Sequence, residues 1–217
     1  MLCLLTILTM KINLLKTSPD RAGRYYVQFE DETFMRLYRQ TVEDFGLYTG
    51  KELSDDEMRN LRDAAGKMSA KMRAVRIVSA SSVTKKDLQQ RLVRKGEDPQ
   101  QAEEAIAWMS DLNLLDDARV AEQVVARCIA KGYGLSRAKQ ALYEKKVPKA
   151  YWDDALAAYP DQLEKIEDYL RSKLDSGSDD RAVKKAIDAL MRRGHNYGSI
   201  RKVLNSLDFD TEEFPEE

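Results

Sequence analysis

From residue 54 to residue 207 apolar positions recur every three or four residues with charged positions between them, the period of an amphipathic helix. Met58, Leu61, Ala65, Met68 and Met72 form one such stripe behind the segment SDDE at 54 to 57. There the Ser54 hydroxyl can accept from the Glu57 amide while the Glu57 carboxylate reaches back, a capping box that predicts a helix running through the 70s. Thr84 with Asp87 offers a second box before LQQRLVRKG. Val120, Val124 and Cys128 share a stripe within 116–132, as do Leu163, Ile166, Tyr169 and Leu170 within 161–174. Upstream the period changes. KINLLK and RYYVQF are short runs of branched and aromatic residues separated by TSPDRAG, which predicts a β-hairpin with a long loop. ETFMRLYRQTVEDFG then places Phe34, Leu37, Tyr38 and Val42 at helical spacing and stops at Gly46, so a hairpin-plus-helix cap is expected over 1–50.

The helical region repeats a single shape three times. RLVRKGEDPQQAEEAI (91–106), ALYEKKVPKAYWDDAL (141–156) and ALMRRGHNYGSIRKVL (189–204) align without a gap. Leu92, Leu142 and Leu190 coincide, as do Ala102, Trp152 and Ile200, and Ile106, Leu156 and Leu204. A helix, a break and a second helix copied at this interval imply units that bury their apolar faces against neighbouring copies. The expected fold is mainly α: tandem three-helix repeats over 51–113, 114–159 and 160–207 in an elongated body, then an acidic tail over 208–217. Gly96 and Gly194 sit where a left-handed helix terminus is expected, and Lys146 replaces glycine in the middle copy.

Composition removes several function classes. The chain has 217 residues, 34% of them charged, and a net charge of -1, so much of it is solvated helix surface. Cys3 and Cys128 give neither a disulfide framework nor metal spacing, consistent with a reducing cytoplasm. The opening MLCLLTILTM has no basic lead and is about half a membrane span. It is read as a loose strand or as an over-extended frame that truly begins at Met10, and no membrane association is expected. The single histidine, His195, falls in an interhelix turn, which leaves no histidine metal cluster and no nucleophile–histidine pair. Of the pairs Asp55–Asp56, Asp116–Asp117, Asp153–Asp154 and Asp179–Asp180, all but Asp153–Asp154 fall at predicted helix starts, where acids cap amides. GYG at 132 to 134 reads as a helix stop, and Trp108 and Trp152 as core. Neither an enzyme nor a cofactor is expected.

Charge is distributed unevenly. Residues 67–96 hold nine Lys or Arg against one Asp, and 181–202 hold seven against one, whereas 97–122 holds eight acids against one Arg. The copied helix ends carry RKG, EKK and RRG at equivalent positions, and with them Arg94 and Lys95, Lys145 and Lys146, and Arg192 and Arg193. In a regular stack these form a basic row suited to a polyanion or an acidic groove, and Arg201 and Lys202 extend it. Each exposed contact contributes at most about 1 kcal/mol, so binding needs many at once and weakens with salt.

The segment TKKDLQQRLVRKG through YWDDAL, with its LLDDARVA step at 114 to 121, GYGLSR at 132 to 137 and LMRRG at 190 to 194, resembles the central region of the RecX regulatory proteins. The resemblance spans about residues 50–207. It implies a non-enzymatic, monomeric, all-helical modulator that lodges on the RecA filament on single-stranded DNA and limits its ATPase, strand exchange and growth, with weak direct DNA contact. It departs at Lys146, where glycine is usual, and at His195 and Asn196. The alternative is a direct DNA binder using a helix-turn-helix step, against which the would-be recognition helix 100–109 offers Glu103 and Glu104 and no base.

Overall fold

The computed structural model describes residues 9–18, 23–175 and 177–209. The opening apolar run up to residue 8, Cys3 with it, and the tail from residue 210 lie outside the described residues. Two compact units divide the chain: one runs to Ser81 and adds Leu88–Leu115, the other comprises Ser82–Asp87 and the chain from Asp116 onward.

The first unit opens on a four-stranded antiparallel sheet of β1 (Thr9–Thr17), β2 (Arg24–Phe29), β3 (Phe34–Tyr38) and β4 (Glu52–Ser54), in the order β3-β2-β1-β4. The expected β1–β2 hairpin is present, with Leu15 opposite Val27. The helix expected across 32–46 is not. Its first half is β3, which pairs Leu37 with Tyr25 and Met35 with Val27, and only Arg39–Asp44 is helical (α1). The tight turn before it decides the matter: Asp31 Oδ1 accepts from the Thr33 amide at 3.0 Å and hydroxyl at 2.6 Å, with Glu32 at φ 65°. That turn delivers the chain back along β2, where the alternation Met35, Leu37 fits a pleat as well as Phe34, Leu37, Tyr38 fits a helix. Strand β4, three residues ending on the capping serine, is likewise not signalled by the sequence.

Helix α2 (Asp55–Ala80) starts with both halves of the capping box, Glu57 N to Ser54 Oγ at 3.3 Å and Ser54 N to Glu57 Oε2 at 2.8 Å. Met58 and Leu61 join Ile12, Val27, Phe29, Leu37 and Leu53 in the core under the sheet. Further along, the buried positions are Ala70 and Ala74, and Met72, expected on the stripe, is 38% exposed. The face changes because the later half packs on α4 (Pro99–Asp111), so closely that a Cβ on Gly66 would stand 2.2 Å from Gln101 Oε1. Asp98 caps α4 by accepting from the Gln100 amide at 2.8 Å, with Pro99 as first helical residue. Helix α3 (Lys85–Arg94) gives this unit the fully buried Leu88 and Leu92.

The second unit contains α5 (Asp117–Ala130), α6 (Leu135–Glu144), a 3-10 turn at Lys149–Tyr151 running into α7 (Trp152–Leu156), then α8 (Leu163–Arg171), α9 (Asp180–Arg192) and α10 (Tyr197–Ser206). Val120, Ala121, Val124, Val125, Leu142 and Val147 make one core, against which Trp152 packs. Ile166, Leu170, Val183, Ile187, Leu190, Ile200 and Leu204 make another. Full burial of a leucine such as Leu142 or Leu190 contributes about 2 kcal/mol. All four aspartate pairs begin helices, Asp153 and Asp154 included, since they occupy the first turn of α7. The chain is thus mainly helical with a small N-terminal strand segment, and no helix among the described residues is long and apolar enough to cross a membrane.

Candidate functional site

Helices α3, α6 and α9 close with one hydrogen-bond pattern. The amides of Glu97, Val147 and His195 return to the carbonyls of Leu92, Leu142 and Leu190 at 3.1, 3.0 and 3.2 Å. Those of Gly96, Lys146 and Gly194 return to Val93, Tyr143 and Met191 at 2.9, 2.8 and 2.8 Å. These are Schellman turns, which require a left-handed residue, and φ is 89°, 56° and 87° at the three positions. Because Lys146 carries a Cβ, that conformation costs it about 1 kcal/mol. Its surroundings hold it there: Lys146 Nζ donates to Asp87 Oδ1 at 2.7 Å, and the Asp87 side chain is only 9% exposed. The buried Thr84 hydroxyl donates to the Lys145 carbonyl at 3.1 Å and accepts from the Asp87 amide at 3.2 Å. The second capping-box candidate therefore caps with Thr84, while the Asp87 carboxylate meets a lysine.

The residue after each left-handed position points inward and is buried. Glu97 meets Arg73 Nε at 2.6 Å and the Ser69 hydroxyl at 2.9 Å. His195 Nε2 lies 3.0 Å from the Gly132 carbonyl, to which it donates, and burial lowers the imidazole pKa below its ordinary value. Gly132 is a left-handed stop for α5, and Gly134 is the N-cap of α6. The end of α9 seats there: Gly134 N donates to the Arg193 carbonyl at 3.0 Å, and a Cβ on Gly134 would stand 2.0 Å from the Gly194 oxygen.

Arg94 and Lys95 end α3 in the first unit, both exposed, and the Lys95 carbonyl accepts from Arg73 Nη1 at 2.9 Å. The other six residues of the expected row lie in the second unit. Lys145 is half-exposed, and Lys146 is committed to Asp87. Arg192 and Arg193 are exposed, with the Arg193 guanidinium 4.7 Å from the Tyr169 ring centre. On α10 Arg201 is half-buried and Lys202 exposed. Arg192 and Arg193 sit at the start of α6 and Lys145 and Lys146 at its end, so a ten-residue helix, about 15 Å, separates the two pairs. The basic stretch of α2, by contrast, is partly neutralised within its own unit, where Lys67 meets Asp63 at 3.1 Å and Glu104 at 3.2 Å.

Sequence reasoning misses the side chain that follows each copied leucine. Val93, Tyr143 and Met191 stand at equivalent positions and are 41%, 73% and 47% exposed, among the largest uncovered apolar groups of the molecule. The gapless alignment carries that signal. Among the described residues no three His, Cys, Asp or Glu side chains gather as a metal site, and Cys128 is buried with its thiol pKa pushed up by desolvation.

A family model described as RecX, second three-helix domain, matches residues 116–156. A regulatory protein RecX of Clostridioides difficile is 26% identical over 204 residues, covering 91% of this chain and 94% of that one. A regulatory protein RecX of Vibrio campbellii is 30% identical over 146 residues, covering 66% of this chain and 94% of that one. Among solved structures, a crystal structure of regulatory protein RecX superposes with a TM-score of 0.63 at 18% identity, over 90% of this chain and 99% of the other. That of RecX from Lactobacillus salivarius gives 0.59 at 24%, over 67% and 98%.

Proposed function

This chain belongs to the RecX family, and from that premise we propose that it binds the RecA filament on single-stranded DNA and restrains ATP hydrolysis, strand exchange and filament growth. In this reading it acts in the cytoplasm as a monomer and without a catalytic centre, as a body of three three-helix units over 51–113, 114–159 and 160–207 behind a strand-and-helix cap over 1–50, with 208–217 as an acidic tail. The basic helix ends dock on DNA phosphate or on acidic filament surface. The observation that carries the reading is electrostatic: among the described residues Arg94, Lys95, Lys145, Arg192 and Lys202 have no carboxylate partner, and the pairs at the two ends of α6 are held in place by the main chain. Each exposed cation contributes at most about 1 kcal/mol, so docking is a sum over many.

RecA ATPase on single-stranded DNA, with and without the protein, tests the reading. Inhibition by the wild-type chain is expected, and its loss in R94E/K95E/K145E/R192E/R193E with an unchanged circular dichroism spectrum. Lys146 is left out because its reversal would set two acids together. Full inhibition by the reversed variant at physiological salt would refute the docking surface. Weak, salt-labile retention of bare duplex, rather than sequence-specific binding, is expected in gel shifts, in keeping with the acidic α4.

A further inference from the structure

Beside the expected row, and sharing Arg193 with it, one cleft gathers cations from three separate helices or their ends. Lys131, just past the end of α5, Lys165 on α8 and Arg193, just past the end of α9, line an open cleft of about 250 Å³ together with Gly132, Asp168 and Tyr169. Three positive groups face one carboxylate, and the ion pair between Lys165 Nζ and Asp168 Oδ2 is long, at 3.9 Å. Two of the cations are positioned in advance. The Arg193 guanidinium carbon lies over the Tyr169 ring, 4.7 Å from its centre, a cation–π contact that holds the group at the cleft. The Lys165 stem lies against Gly132, where a Cβ would come within 3.1 Å of its Cγ, so the glycine makes room for the lysine. The Gly132 carbonyl is taken by His195.

We propose that this cleft receives a phosphodiester of a single DNA strand, with Arg193 holding the phosphate through two N–H groups and Lys131 and Lys165 closing on it from the sides. The assignment rests on the filament reading, which supplies the strand. A planar guanidinium matches two phosphate oxygens. Asp168 can accept from an amino or imino group of a base attached to the bound phosphate, a donor that an aspartate or glutamate side chain lacks.

Fluorescence anisotropy of the full chain with a labelled oligothymidylate across a salt series tests the site. K131E/K165E is compared with K184E/K185E, an equal charge change at exposed lysines of α9 outside the cleft lining. The cleft variant is expected to lose affinity on the order of tenfold beyond the control and to flatten the log–log salt slope by up to about 0.7, the contribution of the one phosphate the cleft holds. K131Q/K165Q, expected to shift the same way by less, replaces it if the reversal fails to fold. A cleft variant that binds like the control overturns the proposal, as does a wild-type chain with no salt-sensitive binding. RecA ATPase inhibition is read in parallel. Loss of inhibition with strand affinity unchanged assigns the cleft to an acidic protein surface and overturns the phosphate assignment while the filament reading stands. A wild-type chain that fails to inhibit strikes the filament reading, and the strand titration still decides the cleft.

Discussion

Lys146 sets two local energies against each other, and its substitution separates them. A residue with a Cβ at φ 56° costs about 1 kcal/mol relative to glycine, while the contact with Asp87 at 2.7 Å opposes that cost. Breaking a fully buried ion pair costs roughly 3–5 kcal/mol and an exposed one under about 1 kcal/mol. With Lys146 33% exposed, Asp87 9% exposed and Asp87 retaining a further interaction, about 1.5 kcal/mol is the appropriate figure. K146A loses the pair and keeps the strain, so it should destabilise by about 1.5 kcal/mol. K146G loses the pair and relieves the strain, for a net loss of about 0.5 kcal/mol. In a D87N background the pair is already gone, and K146G should then stabilise by about 1 kcal/mol. Urea denaturation followed by circular dichroism measures each variant against wild type. Equal stability of K146A and K146G would show that the left-handed turn stores no strain, and a K146A protein as stable as wild type would show that the ion pair contributes nothing.

Gly96 and Gly194 occupy equivalent turns in different surroundings. G96A, with nothing within 4 Å of its new Cβ, should cost about 1 kcal/mol, whereas in G194A the Cβ would stand 2.3 Å from the Arg137 amide, adding roughly 1–3 kcal/mol of overpacking; thermal melts of the two check this. His195 has a folded pKa below its ordinary value, so the unfolded chain takes up the proton more readily. Stability is therefore held above the ordinary imidazole value of 6.5 and declines as pH drops below it; melting temperatures should fall from about pH 7.5 to about pH 5.5 and fall less in H195N. E97A leaves Arg73 without its carboxylate beneath the end of α3 and should cost roughly 2 kcal/mol in urea titrations, against a smaller loss in E97Q.

The helical region is legible in the sequence because its periodicity is reinforced at the ends. Ser54 and Glu57, Asp98 and Pro99, and the glycines at 96, 132 and 194 state where the backbone changes course, so α2, the start of α4 and the helix stops follow from the residues alone. Strand β3 is not legible in this way. Phe34, Leu37 and Tyr38 satisfy a helix period, and the choice between helix and strand rests on pairing with Tyr25 and Val27, a contact no local window contains. The cation cleft escapes for the same reason: Lys131, Lys165 and Arg193 are brought together only by the packing of α8 and α9 around the turn between α5 and α6, and two of the three lie outside the copied segments. In the sequence Lys146 reads as one more exposed cation, because the acid that claims it is 59 positions away.

At the same backbone station behind each left-handed turn the molecule carries an acid, an aliphatic and an imidazole. The main chain ties the knot in all three cases, so what fills the space beneath it can differ widely while the positive pair above stays where it was. Such an arrangement uncouples upkeep from contact: the interior can be rebuilt around one helix end without moving the surface that a partner would meet, and the surface charge can be exchanged without disturbing what lies below.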